Sequence, residues 1–162
     1  MQLGVDTCTW LKLFHFEEVF PGLVEKTISS FNVFITHDVF VECLFHCRDK
    51  EEFFKAIEVK PRLNKTINHY FTLGFDSADA SLLEYADHNS FSEEGSYVVI
   101  TEDPEMLALN VWGTTRVIQL VDWVKRLYQV GLFSKQELRF VVTQLHKTRN
   151  ITKRKQTEVL RR

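Results

Sequence analysis

Apolar positions along the chain follow two different periods. Four short segments, Gln2–Asp6, Asn32–Thr36, Tyr97–Thr101 and Thr115–Leu120, carry nearly unbroken apolar runs rich in β-branched and aromatic residues. Tyr97-Val98-Val99-Ile100 is the most complete of them, and such a run fits a strand covered on both faces, as in a parallel sheet. Between these runs the apolar residues recur at helical spacing. Trp10, Leu11, Leu13 and Phe14 mark a first helix, and Val19, Phe20, Leu23, Val24 and Ile28 a second, over Glu17–Ser30 with Pro21 near its start. Further helices are expected over Val39–Cys47 behind Asp38 as N-cap, over Asp49–Ile57, and over Leu63–Leu73 up to Gly74. Asp76-Ser77-Ala78-Asp79 has the form of a capping box that opens the next helix. Pro104–Val111, Val121–Tyr128 and Ser134–His146 complete the set, with Gly113 and Gly131 as stops. Glu58–Asn64 is a connection with room for a short strand, and Ser90–Ser96 is a turn. Strands that alternate with helices call for an α/β fold with a parallel sheet and right-handed crossovers.

Composition narrows this picture. At 162 residues and 44% hydrophobic the chain suits one domain, which we place at residues 1–146, followed by a basic C-terminal tail, residues 147–162. Lys147 to Arg162 holds seven basic residues and one acid, a charge of about +6, which leaves the body near −8. Cys8, Cys43 and Cys47 lack the paired spacing of a zinc site and are expected to be buried, reduced thiols. No segment has the form of a secretory leader and no apolar run is long enough to span a bilayer, so the expectation is a cytoplasmic protein without a membrane partner.

The candidate chemistry lies in four acids. Asp6 and Asp103 each directly follow a strand, at the carboxyl edge where open α/β sheets hold their ligands. Glu42 follows the second strand by one helical turn, amid Val39, Phe40, Val41, Cys43, Leu44 and Phe45, and Asp79 lies in a first helical turn. Each has a plain structural role available: Asp6 as a helix cap, Asp79 as a carboxylate favoured by the helix dipole. As a group they repel one another, by about 1 kcal/mol per pair at 4 Å in water and about 4 at an effective dielectric of 20. A hard cation such as Mg²⁺ or Mn²⁺ would neutralise them, and such ions support hydrolysis of phosphodiesters by activated water. Asp76 competes with Asp79 and is read as the N-cap, Glu102 and His37 are read as solvated, and Glu105 is read as a first-turn acid that the helix dipole favours.

Val5-Asp6-Thr7, Thr36-His37-Asp38-Val39-Phe40-Val41-Glu42, Ala78-Asp79-Ala80-Ser81-Leu82-Leu83 and Val98-Val99-Ile100-Thr101-Glu102-Asp103 stand in an order and spacing that resembles the PIN-domain nucleases. The likeness runs from Leu3 to about Leu145. It implies a three-layer α/β/α fold around a mostly parallel sheet of four to five strands. It also implies a site in which Asp6, Glu42, Asp79 and Asp103 hold Mg²⁺ or Mn²⁺ and cut RNA. At the matching positions Thr101, and more weakly Thr7, would orient an acid or a metal's water. Many members of that family are toxins held by a small antitoxin protein, whereas others process RNA. The toxin role is the first expectation here. A non-catalytic module whose acidic edge docks a basic partner is the alternative, and a homodimer is expected from the general frequency of such assemblies.

Overall fold

The apolar runs become five parallel strands in the computed structural model, which describes residues 1–60, 69–90, 95–109 and 115–161. They are β1 (Gln2–Val5), β2 (Asn32–Thr36), β3 (Glu58–Lys60), β4 (Tyr97–Thr101) and β5 (Arg116–Gln119). Their order in the sheet is β3-β2-β1-β4-β5, every neighbouring pair parallel. The chain thus builds outward from β1 through β2 to β3, then returns to the other side of β1 to place β4 and β5. The direction of winding reverses between β1 and β4. Crossovers of one hand then lie on opposite faces of the sheet, which gives the three-layer α/β/α arrangement.

Helix α1 (Thr7–Val19) and α2 (Leu23–Ile28) follow β1; α3 (His37–His46) and α4 (Glu51–Lys55) follow β2. The break between α1 and α2 comes later than the apolar spacing suggests. Pro21 and Gly22 end the first helix, Gly22 at φ +90°, and both oxygens of the Glu17 carboxylate accept the freed N–H groups of Gly22 and Val24 at 2.6 Å. Asp38 is not the cap of α3. Helical geometry begins two residues earlier, at His37, and the Thr36 hydroxyl faces the Val39 N–H at 3.5 Å and bonds Ser81 Oγ at 2.7 Å.

Short helix α5 (His69–Thr72) and long helix α6 (Ser77–Ser90) lead to β4, α7 (Pro104–Leu107) joins β4 to β5, and α8 (Leu120–Gln129) and α9 (Lys135–Lys147) follow. Gly74, at φ +98°, stops α5 as expected. The expected helix start at Leu63, the middle of the turn at 91–94 and the Gly113 stop lie outside the described residues, whereas the helix expected over Pro104–Val111 ends already at Leu107, with Ala108 as its C-cap. The basic tail forms a further helix, α10 (Lys153–Leu160), with Val159 buried against α8 and α9. Cys8 is exposed rather than buried, Cys43 is buried and Cys47 half-buried, all three as free thiols. Among the described residues no helix is long and apolar enough to cross a membrane.

Packing on the two faces differs in kind. On one, Trp10 and Phe14 of α1 form an aromatic cluster with Phe53 and Phe54, while Phe16 meets Phe140 of α9. The Trp123 indole of α8 donates to Thr27 O of α2 at 3.2 Å. On the other face α6 lies close over the middle of the sheet, and Gly4 permits it. A Cβ built at Gly4 would stand 2.8 Å from the Phe34 ring and 2.9 Å from Leu82 Cδ1, both side chains fully enclosed. Gly4→Ala should therefore cost about 1–3 kcal/mol by overpacking. A denaturant melt of the variant checks this, and an unchanged midpoint would show that the Phe34–Leu82 contact yields freely.

Candidate functional site

The carboxyl edge of the sheet gathers the acids at the point where the winding reverses. Asp6 ends β1 and starts α1, its N–H donating to Ile100 O of β4 at 3.1 Å. Its Oδ1 accepts the Thr9 N–H at 2.8 Å, so the capping role is real, and its Oδ2 accepts the Thr101 hydroxyl. The side chain is 2% exposed, and burial raises the carboxyl above its ordinary range against the opposing pull of the Thr101 and Thr9 bonds.

Thr101 joins two of the acids. While donating to Asp6 it accepts the Asp103 N–H at 2.9 Å, which sets the backbone from which the Asp103 side chain departs. Asp103 in turn caps α7, its Oδ1 accepting the Glu105 N–H at 2.8 Å. Asp79 sits half-buried in the first turn of α6, its N–H donating to Asp76 Oδ1 at 2.9 Å. Asp76 is therefore the N-cap, exposed, and Asp79 points into the group. Burial, then the charges of Asp76, Asp6, Asp103 and Glu42, push the Asp79 carboxyl up to about 7. Glu42, half-buried on α3, is raised by burial and by Asp76. Asp79 thus lies within electrostatic reach of the other three sequence-predicted acids, Asp6, Glu42 and Asp103. His37 is exposed, as expected.

Glu102, which the sequence reads as solvated, and Lys12, which it does not single out, both belong to this edge. Glu102 is buried rather than solvated. Helix α8 has no side-chain cap of its own at Gln119, and the Glu102 carboxylate accepts the Leu120 N–H at 2.9 Å instead, serving the positive end of the helix from a neighbouring strand. Burial nonetheless pushes Glu102 up to about 7. A carboxylate next to a helix-capping acid gave no local signal of this, because its partner is 18 residues away. Lys12 of α1 is the second: its charge opposes the upward shifts of Asp6, Cys8 and Glu102 alike.

The donor set suits a hard divalent cation. It consists of carboxylates together with the buried Thr7 hydroxyl, which lies against Glu42 and Cys43 and tempers the Glu42 shift, yet makes no hydrogen bond of regular geometry. Carboxyls held high by burial and mutual repulsion gain most from a cation. Among the described residues no three His, Cys, Asp or Glu side chains form a ready-made metal-holding group. No protein-family profile, curated protein or solved structure matches this chain.

The raised carboxyls have a consequence for stability. In the unfolded chain Asp79 and Glu102 lose their protons near 3.8 and 4.5, whereas in the folded protein they keep them to about 7. Over that interval the folded state binds more protons, so stability falls as pH rises from about 4 to about 7 and levels off above. In EDTA the melting temperature should be higher at pH 5 than at pH 8, and Asp79→Asn should flatten the difference. A melting temperature that climbs with pH over this range would contradict the assignment.

Proposed function

We propose that this chain is a metal-dependent endoribonuclease of the PIN type. The observation that carries the reading is the convergence of Asp6, Glu42, Asp79 and Asp103 on one sheet edge, with Asp79 pushed up to about 7 by its neighbours. Asp6 and Asp103, at the ends of adjacent central strands, would hold Mg²⁺ or Mn²⁺ directly. Glu42 and Asp79 would complete the negative charge around it. The bound ion would supply the Lewis acidity that activates water against an RNA phosphodiester and steadies the departing oxygen.

The residues of the chain prepare the site for this work. Thr101 fixes the Asp6 carboxylate and the Asp103 backbone relative to each other through one hydroxyl. The Thr9 N–H holds the other Asp6 oxygen, so the carboxylate keeps its orientation as the substrate enters. Asp76 holds the first turn of α6 and so places Asp79. Toxin of a toxin–antitoxin pair is the biological role we favour, on the strength of the resemblance. A small basic or amphipathic protein that co-purifies and silences cleavage would support that role.

The test is cleavage of a mixed single-stranded RNA in Mn²⁺ and in EDTA. Wild-type protein should cut in Mn²⁺ alone, and Asp103→Asn should reduce cutting to the EDTA level while keeping the fold. If Asp103→Asn cuts as well as wild type, the site is wrongly assigned. Absence of cleavage together with absence of Mn²⁺-induced thermal stabilisation would favour a non-catalytic module instead. Thr101→Val should lower activity by about 10–100-fold, the usual effect of losing a group that orients a ligand. Its loss should be accompanied by a raised Asp6 pKa, since the donated hydrogen bond favours the charged carboxylate.

A further inference from the structure

We propose that the groove between α8 and α10 binds the phosphate backbone of RNA. Lys125 of α8 faces Arg154, Thr157 and Glu158 of α10, and Arg161 just past its end, across this groove. The α10 residues recur at intervals of three and four, so they form one stripe along the helix. From Arg154 to Glu158 the stripe runs about 6 Å at the helical rise, and Arg161 extends it past the end of the helix.

The groove is held by interactions that leave its cations unspent. Lys155 Nζ pairs with Asp122 Oδ1 of α8 at 2.7 Å, Thr152 caps α10 through the Lys155 N–H at 3.1 Å, and Val159 is 2% exposed beneath the helix. Among the described residues Lys125, Arg154 and Arg161 have no carboxylate within 4 Å. Glu158 is the single acid in the lining. Three cations that line one groove, with no carboxylate within 4 Å of them among the described residues, suit a polyanion.

Position favours RNA over an acidic protein. Gln119 ends β5 at the same sheet edge as Asp6 and Asp103, and its side-chain amide donates to Asn150 O at 2.9 Å and reaches Glu102 at 3.5 Å. The segment that leads into α10 is therefore tied to the acid edge, and Arg154, the first cation of the stripe, follows Asn150 by four residues. A strand cut at the acids would be repelled there by the −8 body and would find its countercharge along the groove. The lining has no aromatic side chain, so the contact is to backbone phosphates and tolerates any base sequence. The ligand class rests on the nuclease reading above, but binding to the groove does not require cleavage.

Binding of a fluorescent single-stranded RNA is measured in EDTA over a range of salt concentrations, for wild type and for the triple variant Lys125→Gln, Arg154→Gln, Arg161→Gln. Wild type should bind with a steep salt dependence. The triple variant should bind at least tenfold more weakly, with a salt slope smaller by about 2, from about 0.7 per lost phosphate contact. Glu158→Gln should bind more tightly than wild type. Circular dichroism and melting temperature show that the variants fold. Equal affinity and slope in wild type and triple variant overturn the proposal, as does a wild-type protein that binds an acidic peptide in the groove but no RNA. RNA binding through the groove without any cleavage in Mn²⁺ would sink the nuclease reading alone. Cleavage that the triple variant performs with unchanged RNA affinity would sink the groove alone.

Discussion

One hydroxyl, that of Thr101, sits fully enclosed between the ends of the two central strands, and the acid edge takes its shape from it. It donates to Asp6 and accepts from the backbone of Asp103, so a single oxygen fixes the relative placement of the acids that follow β1 and β4. Such a bridge is possible only because the two strands are neighbours in register, with Val5 opposite Ile100. The rest of the site is added to this pair. Helix α6 brings Asp79 by way of Asp76, and α3 brings Glu42. Each new carboxylate raises the electrostatic cost of the ones already there, and the Asp79 carboxyl, pushed up to about 7, registers that cost.

The same edge shows how a single strand end serves both structure and chemistry. Thr101 and Asp103 are turned to β1 and α7, whereas Glu102 between them reaches the start of α8. Its carboxylate takes the N–H that Gln119 leaves unserved, and Gln119 reaches on to Asn150. The chain of contacts from β4 through β5 to the α9–α10 junction ties the acidic edge to the basic helix. The charge asymmetry evident in the sequence thereby becomes a spatial one, with carboxylates at the edge and a basic helix tied to it through Gln119 and Asn150.

Much of this was legible in the residues. The unbroken runs at Val33–Ile35 and Tyr97–Ile100 named their strands because burial on both faces leaves no polar alternation. Asp76 was legible as a cap from the capping-box pattern, and Asp6, Asp79 and Asp103 from where they follow strands or open helices. What failed was local inference about partners. Asp38 looked like a cap, but Thr36, at the strand end, starts the helix. Glu102 looked solvated because its partner lies in the backbone of a helix that follows another strand. Cys8 looked buried on the general habit of free cysteine, yet it occupies the open side of α1 near the acids.

The residues by themselves determined which segments are strands and helices, because hydrophobic period and turn chemistry act within a few positions of each other. They also determined that acids stand at strand ends and that the C-terminal segment is basic. Tertiary structure alone decided the order β3-β2-β1-β4-β5, since many arrangements satisfy the same apolar runs and only global packing selects among them. From that order follow the adjacency of Asp6 and Asp103, the burial of Glu102 at the head of α8, and the seating of α10 against α8. These are contacts between residues far apart in the chain, where no local pattern reaches.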